Sequence, residues 1–262
     1  MSRLLDGKNA ILYGGGGGIG GGVARAFARE GARVFLAGRT AGPLEAVAAE
    51  ITGQGGAAEV AVLDALDERA VDEHAAAVVA SAGSIDVSFN LISRGDVQGR
   101  PLVELAPDEL LRAVTNGLRS SFLTARAAGR QMMRQRSGVV LHLNSGSAAG
   151  AMPGMGSTGP ADAATEAFMR YLAAELGPHG VRVCGIWTAW VAETLTVEKL
   201  VAVGGPDVPA PEAVRQAIAG MSVLGRTPGL ADVAEAAAFL ASDRAAGITG
   251  TMTNVSAGLM LR

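Results

Sequence analysis

Five consecutive glycines, Gly14 to Gly18, separate a short apolar run, Asn9–Tyr13, from an amphipathic stretch over Ile19–Glu30. Gly20, Gly21 and Gly22 follow closely. A run of this kind is either a flexible linker or a turn that must let something approach the backbone. Position separates the two, because this run leaves a strand and opens a helix. The free N–H groups and positive dipole end of that helix then face whatever lies in the turn, and an anionic pyrophosphate is what such a turn suits. Each Gly inside the helix costs about 0.5–1 kcal/mol relative to Ala. The expectation is therefore a loop that gains order when a ligand fills it.

The rest of the chain repeats the same strand-then-helix unit. Strands are expected at Arg33–Ala37, Glu59–Leu63, Asp86–Leu91, Val139–Asn144, Val181–Trp187 and Thr251–Val255. Helices are expected at Leu44–Ile51, Asp67–Ala82, Pro107–Arg136, Ala161–Leu176 and Ala231–Ser242. The strands are apolar at consecutive positions, as required when helices cover both faces of a sheet. The predicted fold class is α/β: a Rossmann-type, doubly wound parallel sheet of about seven strands in one domain spanning residues 1–262. Ala192–Met221 interrupts the rhythm with Gly204, Gly205, Pro206, Pro209 and Pro211. It is expected to be a substrate-covering insertion, with a passive surface excursion as the other reading.

Composition narrows the partners. Hydrophobic residues make up 49% of the chain and charged residues 18%, ample for a large core. The net charge is −3 with both signs dispersed, which gives no footprint for nucleic acid or an anionic membrane. Cys184 is the only cysteine, so no internal disulfide can form. No apolar run reaches membrane-spanning length, and Ser2–Asn9 does not read as a secretory leader. A cytoplasmic protein acting on a small-molecule substrate is expected.

At the end of the second strand, Ala37-Gly38-Arg39 lacks the carboxylate that would hold an adenosine ribose diol. Arg39 could pair instead with a 2′-phosphate. NADP is expected over NAD, with a merely solvated Arg39 as the alternative.

Over essentially its whole length the chain resembles the short-chain dehydrogenase/reductase family. Gly14, Gly18 and Gly20 match the family's glycine motif, with Tyr13 where Thr is usual. Asp64 matches the residue that contacts adenine, and Asn90 the first Asn of Asn-Asn-Ala-Gly, followed here by Leu91-Ile92-Ser93. Ser145 matches the catalytic serine. Similarity extends through Leu224-Gly225-Arg226, Ile248-Thr249-Gly250 and Val255-Ser256-Ala257-Gly258. The resemblance implies nicotinamide dinucleotide binding, with Ile19 and Val191 also at the cofactor, and a homo-oligomer formed through the Pro107–Arg136 helix.

The likeness stops at the proton-handling pair, Tyr with Lys four residues later. Aligned on Glu166-Ala167-Phe168, those positions carry Thr158 and Asp162. The chain's tyrosines are Tyr13 and Tyr171 and its lysines Lys8 and Lys199, so no such pair exists anywhere. No Tyr precedes Asp162 at the wider spacing of related enoyl reductases either. An aliphatic hydroxyl is far less acidic than a phenol of pKa about 10, and a carboxylate cannot stabilise a phenolate. Asp162 could instead bind the nicotinamide ribose. The family's catalytic Asn falls on Gly117 by count from Phe122, and a one-residue bulge would bring Asn116 there instead.

Three readings follow. One is an atypical NADP(H)-dependent oxidoreductase of a small carbonyl or alcohol, with Ser145, Asn116, Thr158 and Asp162 at the catalytic positions and Ser145, water or the substrate itself handling the proton. A second is a silent dinucleotide-binding sensor or partner subunit. The third is a non-redox lyase or isomerase with Asp162 as base. His142 reads as a core histidine, and His74 as lying on a polar helix face. No His/Cys/carboxylate spacing predicts a metal site. Arg94 and Asp96 are either substrate contacts or a solvated pair. Met152, Met155, Trp187, Trp190 and Val191 are either an apolar wall beside the nicotinamide or ordinary core.

Overall fold

A computed structural model of the chain describes residues 3–261. Seven strands run in parallel: β1 (Asn9–Tyr13), β2 (Arg33–Gly38), β3 (Ala57–Val62), β4 (Val87–Asn90), β5 (Gly138–Asn144), β6 (Val181–Trp187) and β7 (Thr251–Asn254). Their spatial order is β3-β2-β1-β4-β5-β6-β7. The winding direction reverses between β1 and β4, whose carboxyl ends frame the crevice where such sheets bind ligands.

Helices α1 (Gly18–Arg29), α2 (Ala41–Gly53) and α8 (Leu230–Ala241) cover one face. Helices α3 (Glu68–Ala82), α4 (Pro107–Gln135) and α5 (Thr158–Leu176) cover the other. Strand alternation divides the core: Ala10 and Leu12 of β1 pack toward α1, while Ile11 and Tyr13 pack toward α3 and α4. All five residues of β1 are buried, as expected for a central strand sandwiched by helices.

The main departures from expectation are at α5 and in the insertion. Helix α5 starts at Thr158 rather than Ala161, so Gly159 and Pro160 lie in its first turn, where proline has no N–H bond to forfeit. The insertion is built of two helices, α6 (Val197–Gly204) and α7 (Pro211–Met221). Pro211 opens α7, and the Thr196 hydroxyl accepts the Lys199 N–H at 3.2 Å to cap α6. The insertion is tied to the body where Ala192 N–H donates to the Pro228 carbonyl at 2.9 Å and Leu230 N–H to Glu193 at 2.8 Å. Its far end reaches across the sheet's carboxyl edge, so that a Cβ on Gly99 would sit 3.5 Å from Gly204. Gly99 in turn donates to the Gly154 carbonyl at 2.8 Å. Three loops thus meet above the crevice. No helix among the described residues is long and apolar enough to cross a membrane.

Candidate active site

The glycine loop has the shape its composition implied. Gly14 has φ +86°, and a Cβ on it would lie 2.8 Å from the Leu91 carbonyl at the end of β4. A Cβ on Gly20 would run into the Gly14 carbonyl oxygen. Both positions therefore require glycine if the loop is to fold tightly over the switch point. Gly17 caps α1 with no side-chain acceptor, and the first intrahelical bond is Gly21 N–H to Gly17 O at 2.7 Å. The N–H groups of Gly18, Ile19 and Gly20 precede that bond and have no partner in the helix ladder. This cradle fits a pyrophosphate, and the chemistry it offers is anion binding by backbone dipoles.

Around it, Arg39 is exposed just beyond β2. Asp64 is exposed beyond β3, its carboxylate accepting the Leu66 N–H at 2.9 Å. Val191 is buried against the α1 and α8 side. Asn90 is buried, donating to Ser120 at 3.1 Å and accepting the Ile92 N–H at 3.1 Å. Its side chain therefore braces the turn after β4 against α4. Thr188, which the sequence did not single out, buries its hydroxyl beyond β6 with no partner among the described residues.

A polar cluster lies next to the crevice at the end of β5. Asp162 on α5 is fully buried. One carboxylate oxygen accepts from Arg94 Nη1 at 2.8 Å. The other accepts from the Ser145 hydroxyl at 2.6 Å and from the N–H groups of Ser145 and Ser147, both at 3.1 Å. Arg94 is also held by Asp96, through Nη2 at 2.9 Å and Nε at 3.3 Å. Burial opposes the Arg94 charge, but Asp96 and Asp162 outweigh it and hold the guanidinium above its ordinary pKa.

Arg94 and Asp96 are thus not a solvated pair; they form a largely buried triad with Asp162. That use of both Asp162 oxygens leaves the carboxylate committed inside the protein rather than turned toward a ribose. Helix α4 runs through Asn116 and Gly117 without a bulge. Asn116 donates to the Arg94 carbonyl at 3.1 Å, and a Cβ on Gly117 would lie 2.6 Å from Arg94 Cδ. One residue anchors the Arg94 backbone and the other makes room for its side chain.

The hydrogen bonds fix the direction of the hydroxyls. The Ser145 proton goes to the carboxylate, so in the 2.7 Å contact between Ser145 and Ser147 the donor is Ser147. Both serines then offer lone pairs, not protons, to anything that docks. Thr158 Oγ1 accepts from Gln98 at 2.8 Å, and no acceptor among the described residues takes the Thr158 proton.

Behind this cluster, His142 contacts Ser121 at 3.2 Å and Asn144 at 2.8 Å. Burial, reinforced by Arg94, pushes its pKa down to about 4. It is a satisfied core histidine, as its strand position implied. His74 departs from expectation, since its ring meets Tyr13 edge-on at 6.1 Å and its Nδ1 is buried without a partner among the described residues. Trp187 does not join a wall with Val191. Its indole N–H turns to Glu166 at 2.7 Å, on the α5 side of the sheet, beside a cavity of about 430 Å³. Among the described residues no group of three His, Cys, Asp or Glu could hold a metal ion.

A glycine cradle at the switch point of a seven-stranded parallel sheet, with hydroxyl groups at the next strand ends, defines a dinucleotide-binding α/β protein. The family model described as enoyl-(acyl carrier protein) reductase matches residues 15–260. D-threitol dehydrogenase of Mycolicibacterium smegmatis is 31% identical over 98% of this chain and 95% of its own. L-rhamnose 1-dehydrogenase (NAD(P)(+)) of Azotobacter vinelandii is 32% identical over 98% of each. The crystal structure of NAD+-bound xylitol dehydrogenase superposes with a TM-score of 0.86 at 25% identity, covering 97% of this chain and 99% of that one. The chain belongs to the short-chain dehydrogenase/reductase family, whose members bind a nicotinamide dinucleotide.

Proposed function

We propose that this protein is an atypical NADP(H)-dependent oxidoreductase that interconverts a small alcohol and its carbonyl compound. The observation that carries the reading is the glycine cradle, complete at Gly14, Gly18 and Gly20 and set beside Ser145 at the same edge of the sheet. A bound dinucleotide would supply the hydride acceptor or donor. Arg39, exposed beyond β2 where a ribose-binding carboxylate is absent, supports NADP over NAD.

The proton chemistry differs from that of the family's Tyr–Lys pair. The fixed cation comes from Arg94 on the loop after β4, and a carboxylate stands on α5. Ser147 and Ser145 form a chain of hydroxyls ending at Asp162, oriented to accept a hydrogen bond. Thr158, backed by Gln98, has a proton to give. This polarity suits a substrate hydroxyl on the serine side and a second oxygen at Thr158. Relatives named for threitol, rhamnose and xylitol support a hydroxylated small molecule as the substrate. General acid–base assistance is worth roughly 10²–10⁴ in rate, so turnover is expected to be slow beside a family member with the pair intact.

Exposed Leu111, Leu118 and Phe122 recur along the outer surface of α4 and support self-association through that helix.

Titration of NADPH and NADH into the purified protein tests the reading, followed by a polyol panel monitored by nicotinamide absorbance. Tight binding that prefers NADPH, with slow polyol oxidation, is the expected result. Tight binding with no turnover on any alcohol or ketone would favour a silent dinucleotide-binding subunit. No binding of either nucleotide would sink the oxidoreductase reading.

A further inference from the structure

The insertion carries a cation that no carboxylate among the described residues neutralises. Of the chain's two lysines, Lys8 pairs with Asp243 at 3.0 Å. Lys199, on α6, meets only the Thr194 hydroxyl, at 3.4 Å, and no described carboxylate lies within ion-pair distance. Thr194 is the residue by which the insertion touches the glycine cradle: a Cβ on Gly18 would lie 3.0 Å from its Cγ2. Gly18 is the first residue of α1 and carries one of the free N–H groups described above. The nearest acidic side chains in sequence are otherwise engaged, since Glu193 accepts the Leu230 N–H at 2.8 Å and Glu198 lies in the first turn of α6. Lys199 is exposed on α6, and the packing around its stem lowers its pKa from the ordinary value.

We propose that Lys199 reads the pyrophosphate of a dinucleotide held by the glycine cradle, and so couples cofactor occupancy to closure of the 192–221 insertion. The inference rests on the dinucleotide reading and adds a contact from the insertion to the backbone cradle. The Lys199 ammonium stands beside Thr194, whose Cγ2 borders Gly18, so a phosphate held on the N–H groups of Gly18 and Ile19 would be met from this side. An ammonium–phosphate contact is a charge-assisted one. It would also draw α6 onto the crevice that its far end already borders at Gly99. Arg39, at the end of β2, is left to the adenosine end of the same molecule.

Calorimetry on the wild-type protein, Lys199→Met and Lys199→Arg, with NADP+ and with adenosine 2′-monophosphate, tests this. The monophosphate carries the adenosine and 2′-phosphate but no pyrophosphate. Lys199→Met is expected to weaken NADP+ binding about tenfold, to flatten its salt dependence, and to leave the monophosphate unchanged. Lys199→Arg should retain most of the NADP+ affinity. Hydrogen exchange across residues 192–221 should slow on adding NADP+ to the wild type and not to Lys199→Met. Equal NADP+ affinity in the wild type and Lys199→Met overturns the proposal, as does equal weakening of both ligands. A wild-type protein that binds no dinucleotide overturns the functional reading itself, and the inference with it.

Discussion

Removing the Asp162 carboxylate is the perturbation whose cost the structure specifies most fully. In Asp162→Ala, Arg94 Nη1 and the hydroxyl and N–H groups of Ser145 lose their acceptor, and the Ser147 N–H keeps only its 3.2 Å bond to Ser145 Oγ. One-sided loss of a buried ion pair costs about 3–5 kcal/mol. Arg94 keeps both bonds to Asp96, so the lower end, about 3 kcal/mol, applies here. Loss of one of the two acceptors of a buried amide adds about 1 kcal/mol. Ser147 is buried and counts, whereas Ser145 is partly open and can take water. The sum is about 4 kcal/mol, a large part of the 5–15 kcal/mol that typically holds a folded protein together. Arg94→Met strands the carboxylate in the same way and should cost about 3 kcal/mol. The double variant removes both charges, and its loss should fall short of the summed single losses by about 2 kcal/mol. Urea unfolding at fixed protein concentration, read as the midpoint with its slope, measures all three. A loss below about 1 kcal/mol for Asp162→Ala, or strict additivity in the cycle, would refute the buried-triad account.

The remaining predictions concern pH and the cofactor cradle. His142 has a folded pKa of about 4 against an unfolded value near 6.5, so the folded state binds fewer protons between them. Its contribution is fully present above pH 6.5 and is lost as pH falls through about 4, an effect of about 3 kcal/mol. His142→Gln should flatten the stability–pH slope in that window, and an unchanged slope would place the titration elsewhere. Gly20→Ala drives a methyl into the Gly14 carbonyl and is expected to abolish dinucleotide binding, with calorimetric affinity as the check. Arg39→Ala should weaken NADPH about tenfold and leave NADH unchanged, and equal loss of both would remove Arg39 from the 2′-phosphate site. Restoring a Tyr–Lys pair by Thr158→Tyr with Asp162→Lys would set the new ammonium against Arg94. It should give folded protein only when Arg94→Met is added, as monitored by thermal unfolding.

Much of the architecture was legible because it is local. The apolar runs that became β1, β2, β5 and β6 lie between helices on both faces, so each carries its own signature in consecutive buried residues. The helices of the insertion were missed because Gly204, Gly205, Pro206 and Pro209 dominate the composition there. Pro211 followed by Glu212 was a helix-start signal, with Val214 and Ile218 spaced for one apolar face. His74 was misplaced because its helix is largely polar while its ring is held by Tyr13, a partner from a different strand–helix unit.

By itself, the sequence determined the strand order's raw material, the glycine cradle and the absence of any Tyr–Lys pair, since each depends on residues adjacent in the chain. Only the tertiary structure decided what stands in that pair's place. Arg94 and Asp162 are 68 positions apart and meet because β4 and β5 are neighbours in the sheet and α4 offers Gly117 as a gap. No spacing rule relates them. The direction of the Ser145 proton follows from that meeting, because the carboxylate oxygens accept and the Ser145 hydroxyl lies 2.6 Å from one of them.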